Sequence, residues 1–298
     1  MHMSGVLSKQ EKLTITIGHI VMSILCILAV APFWLMVSGS FTDNDALIRN
    51  GYKFIPEFFS NAAYQYIIRE WAQIGHAYAM TILVTLLGTG ISLLLVSLMG
   101  YGLSQHDVPG MQVVFVLVLI TMLFNGGVVS SYIIYTNVIN VKDSIFGLLL
   151  PNLLLNGFNV ILVKNYMEHT LPAELIEAAE VDGATQFTIY GKIIMPLSKP
   201  ILATVGLLTA VGYWNDWTNG LYFVTKPELY TIQLLLNQMN SNIQYLASHS
   251  EIAGAAGNIP GTSMRMAIAV IGILPILILY PFFQKYFEAG ITAGAVKG

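Results

Sequence analysis

Long apolar runs alternate with polar connections along this chain, at about 15–41, 78–102, 111–129, 144–165, 201–223 and 266–284. Roughly twenty apolar residues in a helix cross a bilayer. The pattern therefore predicts an all-α integral membrane protein of about six transmembrane helices in a single domain, 1–298. The first run follows Lys9 and Lys12 as a signal peptide would, but it is longer than the roughly 7–15 residues of a signal core, which predicts a retained helix. Between the first two runs, Phe59, Ala62, Ala63, Tyr66 and Ile67 recur at helical spacing. That spacing fits a helix lying at the membrane surface or one packed on neighbouring spans. Gly88, Gly90, Ser92, Ser97 and Gly100 give the second run small-residue surfaces for helix packing. A tight turn from Ser104 to Gly110, with Asp107 and Pro109, leads to the third run, and Pro151 and Asn152 predict a local kink in the fourth. A long polar segment with Gln233, Gln238 and Gln244 and a glycine-rich run, 254–261, precede the last.

Composition sharpens the picture. The chain is 55% hydrophobic and 10% charged, with a mean hydropathy of +0.69, against roughly 25% charged residues in soluble domains. The net charge of -3 and the lack of a Lys/Arg block argue against nucleic acid as a partner. Cys26 is the one cysteine, so no internal disulfide forms; within the first run its expected role is that of a small packed residue, and Leu25 before it does not suit a lipidated cysteine. The histidines are scattered without metal-ligand spacing. No phosphate loop occurs, since Gly191-Lys192 is followed by Ile193, and no hydrolase motif is present. The chain is thus not itself an ATPase or a hydrolase.

A polar insertion, 168–200, carries much of the chain's charge. Pro172 suits a first helical turn and Glu174 the positive end of the helix dipole. Leu175, Ala178, Ala179 and Asp182 fall on one narrow face, where the alanines let another backbone approach closely. Gly183 stops the helix, and Thr185 caps a second short helix that ends before Pro196. A plain amphipathic surface helix has the same composition. The order Glu177-Ala178-Ala179, Asp182-Gly183-Ala184, Ile193-Ile194-Met195-Pro196 resembles the cytoplasmic loop signature of ABC importer permeases, with Met195 in place of the usual leucine, a volume-conserving change.

Apart from His19 near the start of the first run and Lys164 at the end of the fourth, the charged residue inside the runs is Asp216, in Tyr213-Trp214-Asn215-Asp216-Trp217. A carboxylate there is a functional candidate, and an interfacial cap, hydrated or bonded to Asn215, is the competing reading. Trp214–Trp217, Lys226-Pro227-Glu228-Leu229-Tyr230 with Gln233-Leu234, Phe124-Asn125-Gly126-Gly127, Leu274-Pro275, Tyr280-Pro281-Phe282-Phe283-Gln284-Lys285-Tyr286-Phe287 and Gly294-Ala295-Val296-Lys297-Gly298 resemble carbohydrate-importer permeases of the second maltose-type branch. The chain departs from that pattern at Val128-Val129-Ser130, where a proline-bearing segment is usual.

This resemblance implies a type I ABC importer permease fold in the bacterial cytoplasmic membrane, with a coupling-helix loop at 168–200 and both termini cytoplasmic. It implies import of a sugar or oligosaccharide by alternating access. The implied partners are a second permease subunit, two ATPase subunits that carry the ATP and Mg, and an extracytoplasmic solute-binding protein. No cofactor is expected on this chain. Glu177, Ala178, Ala179, Asp182, Gly183 and Pro196 are the expected ATPase-coupling residues. Asn125, Asn152, Asn156, Tyr213, Trp214, Asn215 and Asp216 are the candidate sugar-pathway residues, as amides, a carboxylate and aromatic platforms. The Lys/Arg distribution is nearly even between the two sides, so orientation rests on the resemblance. An importer of another small solute and an ion-coupled secondary transporter remain the alternatives; the latter would ordinarily carry more intramembrane carboxylates and an internal repeat.

Overall fold

The computed structural model describes residues 9–105, 108–151, 153–248 and 261–295. Asp107, Asn152, the glycine-rich run up to Pro260, the ending Val296-Lys297-Gly298 and the side chains of Tyr280 and of 282–295 lie outside them. In chain order the helices are α1 (Lys9–Ser40), α2 (Asn44–Asn50), α3 (Ala62–Arg69), α4 (Trp71–Ser104), α5 (Met111–Leu123) and α6 (Gly127–Ile133), the last running into a π-helical turn at Ile134–Val138. There follow α7 (Phe146–Leu149), α8 (Gly157–Thr170), α9 (Ala173–Val181), α10 (Gln186–Ile189), a π-helical segment at Tyr190–Ile194, α11 (Met195–Leu197) and α12 (Lys199–Asn215). Then come α13 (Thr218–Phe223), a 3-10 turn at Pro227–Leu229, α14 (Ile232–Ser248) and α15 (Gly261–Ala295).

The chain divides into two compact units, one formed by Met1–Glu70 with Asn240–Ile273 and the other by Trp71–Met239 with Leu274–Gly298. In the first, Phe41 stacks on Tyr64 and Phe59 at 4.7 and 5.6 Å, and Ser40 Oγ meets Tyr64 OH at 2.9 Å. The helix expected near residues 59–67 is α3, and it is packed, with Ala63 and Ile67 buried. The apolar side chains of α1 are exposed from Leu13 to Trp34, as on a helix that faces lipid. Cys26 is exposed with them, not packed as its small size suggested.

In the second unit α4 is the central post, packed chiefly against α8 and α12. Its small residues explain the closeness. Gly88, Ser92, Ser97 and Gly100 are all buried, whereas Gly90 faces open space. Lipid tails give helices no hydrophobic reason to associate, so close van der Waals packing and interhelical hydrogen bonds must do so. One such bond joins α8 to α12, from Asn159 Nδ2 to Thr209 Oγ1 at 3.3 Å. Two buried clusters flank the post. Val96, Val160, Val163, Ile189, Ile194 and Val205 belong to the one beside α9–α11, and Val84, Leu148, Tyr213 and Leu234 to the other.

Among the described residues three helices are long and apolar enough to cross a membrane: Lys12–Ser40, Trp71–Ser104 and Gly261–Ile278. A fourth crossing results if Gln186–Leu197 and Lys199–Asn215, bent by 78°, count as one. The six continuous spans expected from the apolar runs are therefore not what the described residues form. The third run is broken after α5, whose thirteen residues rise only about 20 Å. There Asn125 Oδ1 accepts the N–H of Gly127 in a local turn. The fourth run breaks harder than a kink, α7 ending at Leu149 and α8 starting at Gly157. Pro151, lacking an N–H, cannot continue a helical ladder. The fifth helix stops at Asn215, and the chain breaks before α13.

The broken fourth run is held by partners distant in sequence. Tyr213 OH donates to Leu149 O at 2.8 Å, and Asn219 Nδ2 to Pro151 O at 2.9 Å. Tyr213 reaches that carbonyl across Gly88, where a Cβ would lie 2.3 Å from the ring. Gly88→Ala should therefore dislodge Tyr213 and lower stability by about 1–3 kcal/mol, as overpacking does. Thermal unfolding of the detergent-purified protein checks this, with Gly90→Ala expected to melt as the unsubstituted chain does.

Candidate functional site

The loop 168–200 folds as two short helices around a fixed turn. Helix α9 begins after Pro172, and Asp182 caps its end, donating its N–H to Ala178 O. Gly183 then sits at φ 79°, a conformation that costs an L side chain energy. Its N–H reaches Glu180 O, and the N–H of Ala184 reaches Ala179 O, both at 2.9 Å, which is the Schellman arrangement. Thr185 Oγ1 accepts the N–H of Thr188 to start α10. The helix does not end before Pro196, as the sequence reading had it. The π-helical segment carries it into α11, and the chain bends only at Ser198. A π turn widens the ladder locally, and Pro196 is the second residue after it.

Ile176 and Ala179 turn inward onto the buried cluster, while Glu177, Ala178, Asp182, Gly183 and Pro196 are exposed. Beside them three apolar side chains, Leu175, Val181 and Phe187, are 46%, 87% and 84% exposed. Sequence reasoning missed Val181 and Phe187, since isolated apolar residues in a polar loop resemble ordinary core positions. Two tyrosines fasten the loop to α4. Tyr101 OH donates to Gln186 Oε1 at 2.6 Å, and Gln186 Nε2 donates to Glu180 Oε1 at 2.8 Å. Tyr190 OH lies 2.7 Å from Ser97 Oγ.

At the other end of α12, Tyr213 is buried with its hydroxyl on Leu149 O. Trp214 is buried beside Tyr78, ring centroids 6.3 Å apart. Asn215 is exposed, donating to Val211 O at 3.0 Å and accepting from Gln233 Nε2 at 3.4 Å. Asp216 Oδ1 accepts the N–H groups of Thr218 and Asn219, at 3.0 and 3.1 Å, and so caps α13. Asn156 is likewise a cap, accepting from Phe158 and Asn159 at the start of α8. Asn125 serves its own turn, and Asn152 lies outside the described residues. Tyr213–Asp216 thus form one group, joined to the broken fourth run by Tyr213 on Leu149 O and, through Asn219, to Pro151 O.

Asp143 was not singled out from the sequence. At φ 53° it accepts from the N–H and hydroxyl of Thr225 and the N–H of Lys226. These bonds, the backbone N–H of Thr225 first among them, hold its carboxyl below the usual carboxylate range. The loop before α7 is thereby clamped to the one after α13. Among the described residues no group of His, Cys, Asp or Glu could hold a metal ion.

Residues 108–293 match the family described as binding-protein-dependent transport system inner membrane component. The chain belongs to this family: it is a permease subunit of an ABC importer, a transport protein and not an enzyme. The polygalacturonan/rhamnogalacturonan transport system permease protein YtcP of Bacillus subtilis is 34% identical over 272 residues, covering 91% of this chain and 94% of its own length. Protein LplC of the same organism is 32% identical over 271 residues, covering 91% of this chain and 90% of its own. A bacterial ABC transporter involved in the import of the acidic polysaccharide alginate contains a chain that is 29% identical in its crystal structure. That match covers 95% of this chain and 100% of the other, with a TM-score of 0.80.

The cap at Asp216 can be separated from its charge. Asn accepts the same two N–H groups, so Asp216→Asn should keep the fold, whereas Asp216→Ala should lose about 1 kcal/mol of stability with the cap. Melting temperature and sugar uptake of the two variants are the measurements. A fall in uptake with Asp216→Asn at unchanged stability assigns the charge to transport.

Proposed function

We propose that this chain forms half of the translocation path of an oligosaccharide importer, acting as one permease domain beside a second permease subunit. Two ATPase subunits bind it from the cytoplasm, and an extracytoplasmic solute-binding protein delivers the sugar. In this reading the chain crosses the bilayer six times, the broken runs at α5–α6 and α7–α8 each making a crossing, with both termini and the loop 168–200 in the cytoplasm. The observation that carries it is the loop itself: a helix fixed by the Gly183 turn presents Glu177 and Ala178 outward, flanked by exposed apolar side chains. A short helix with such a face suits a groove on a partner. Ala178 allows close approach while Ala179 seats α9 on the core, Glu177 makes polar contacts, and Pro196 sets the return towards α12. ATP-driven closure of the ATPase pair moves the loop, and the attached helices shift from an inward-facing to an outward-facing state. ATP does so only by binding the closed state better than the open one. Sugar hydroxyls and C–H faces call for amides and aromatic platforms, for which Asn125, Asn152, Asn156 and the Tyr213–Asp216 group are the proposed residues.

Co-purification of the tagged chain from native membranes tests the coupling assignment. An ATPase should accompany the wild type and be lost from Glu177→Lys/Gly183→Arg, with uptake falling to background. An ATPase retained in full by that variant would overturn the assignment.

One observation favours an acidic oligosaccharide over a neutral one. Arg265 lies within the spanning segment Gly261–Ile278, and its buried Nε has no hydrogen-bond partner. A guanidinium at such a position is costly and pairs best with a carboxylate. The alginate importer and YtcP, both named for the polysaccharides they transport, support this choice. Arg265→Gln should cut uptake of trigalacturonate about tenfold and leave uptake of maltotriose at the wild-type level.

A further inference from the structure

Gln186 occupies the junction between the coupling loop and α4. Its amide is used at both ends, the nitrogen on Glu180 of α9 and the oxygen on Tyr101 in the last turn of α4. Tyr101 is buried, and its ring lies 5.6 Å from that of Tyr190. Tyr190 opens the π-helical segment and meets Ser97, one helical turn before Tyr101 on the same face of α4. Ser97 Oγ already donates to Leu94 O, so Tyr190 is the donor in its pair with Ser97. Every proton in the path is therefore assigned, and each bond has one direction.

We propose that Gln186 is a positioning residue that transmits movement of the coupling loop to α4, with Tyr190 and Ser97 as a second, parallel connection. The proposal rests on the coupling-loop reading above and adds the route by which the loop moves the helices. Apolar contacts between the loop and the core slide at little cost, whereas a directional bridge ending on a carboxylate resists shear. Glu180 lies on the same short helix as Glu177, so a displacement of α9 by a docked partner reaches α4 through a single side chain. The bridge spans the Gly183 turn and makes α9, α10 and the end of α4 move together.

The test uses the intact importer, with its ATPase and solute-binding subunits, in proteoliposomes, and reads ATP hydrolysed per sugar imported. Gln186→Leu removes both bonds, Gln186→Glu sets two carboxylates against each other, and Tyr101→Phe keeps the ring but removes the donor. Each should assemble fully and hydrolyse ATP within about twofold of wild type while using about tenfold more ATP per sugar, since bonds to a charged group are the stronger kind. The exchange Glu180→Gln/Gln186→Glu restores an amide donor to a carboxylate acceptor and leaves an oxygen for Tyr101. It should return the ratio to within about twofold of wild type, a coupling that separate structural defects would not give. A wild-type ratio in Gln186→Leu, loss of the ATPase from that variant, or an exchange no better than Gln186→Glu alone would overturn the proposal. A wild type that recruits no ATPase would overturn the coupling-loop reading and the bridge together; normal import beside an unaffected Gln186→Leu overturns the bridge alone.

Discussion

Inside a bilayer a helix broken away from any water-filled cavity leaves peptide carbonyls that need a protein donor. The fourth apolar run meets this requirement. Where Pro151 interrupts the backbone, the hydroxyl of Tyr213 donates to Leu149 O, and the amide of Asn219 joins the N–H of Leu153 on Pro151 O. Tyr213 and Asn219 both come from the region where α12 ends, so the break in one run and the end of another stabilise each other. The burial of Tyr213 and the closeness of Gly88 follow from the same need, because the ring can cross to Leu149 only over a residue without a side chain.

The first, second and last spans were legible because length and apolarity are local properties. The 168–200 loop was legible too. Gly183 carries a backbone requirement that few other residues meet, and the order Glu177-Ala178-Ala179 to Pro196 pointed to the family. The breaks after Leu123 and Leu149 were much less so. Apolar content continues across them, and the groups that stabilise the second break lie 64 and 68 residues away. Pro151 signalled a kink but could not show that its carbonyl had a partner.

Among candidate site residues, Asp216 was visible as both a functional carboxylate and a cap, and its bonds to Thr218 and Asn219 are those of a cap. Gln186 gave no signal, because a glutamine in a polar loop reads as solvated. Its importance arises from Tyr101, 85 residues earlier. Asn159 was hidden in the opposite way, as one amide in an apolar run whose partner Thr209 is on another helix. Residues that act through a distant contact carry no local pattern.

The 78° bend at Ser198 makes the helix Gln186–Leu197 a crank on the end of α12. Its twelve residues give an arm of about 18 Å. A rotation of about 5° at the bend moves the far end by about 1.6 Å, and the reverse holds for a push applied there. A long arm trades force for travel, so a small, stiff displacement at its far end becomes a modest rotation of α12. The crank works only while its joint stays unextended. Pro200, two residues past the bend, has no N–H to donate back across it to Pro196 O, the bond a straight helix would make there.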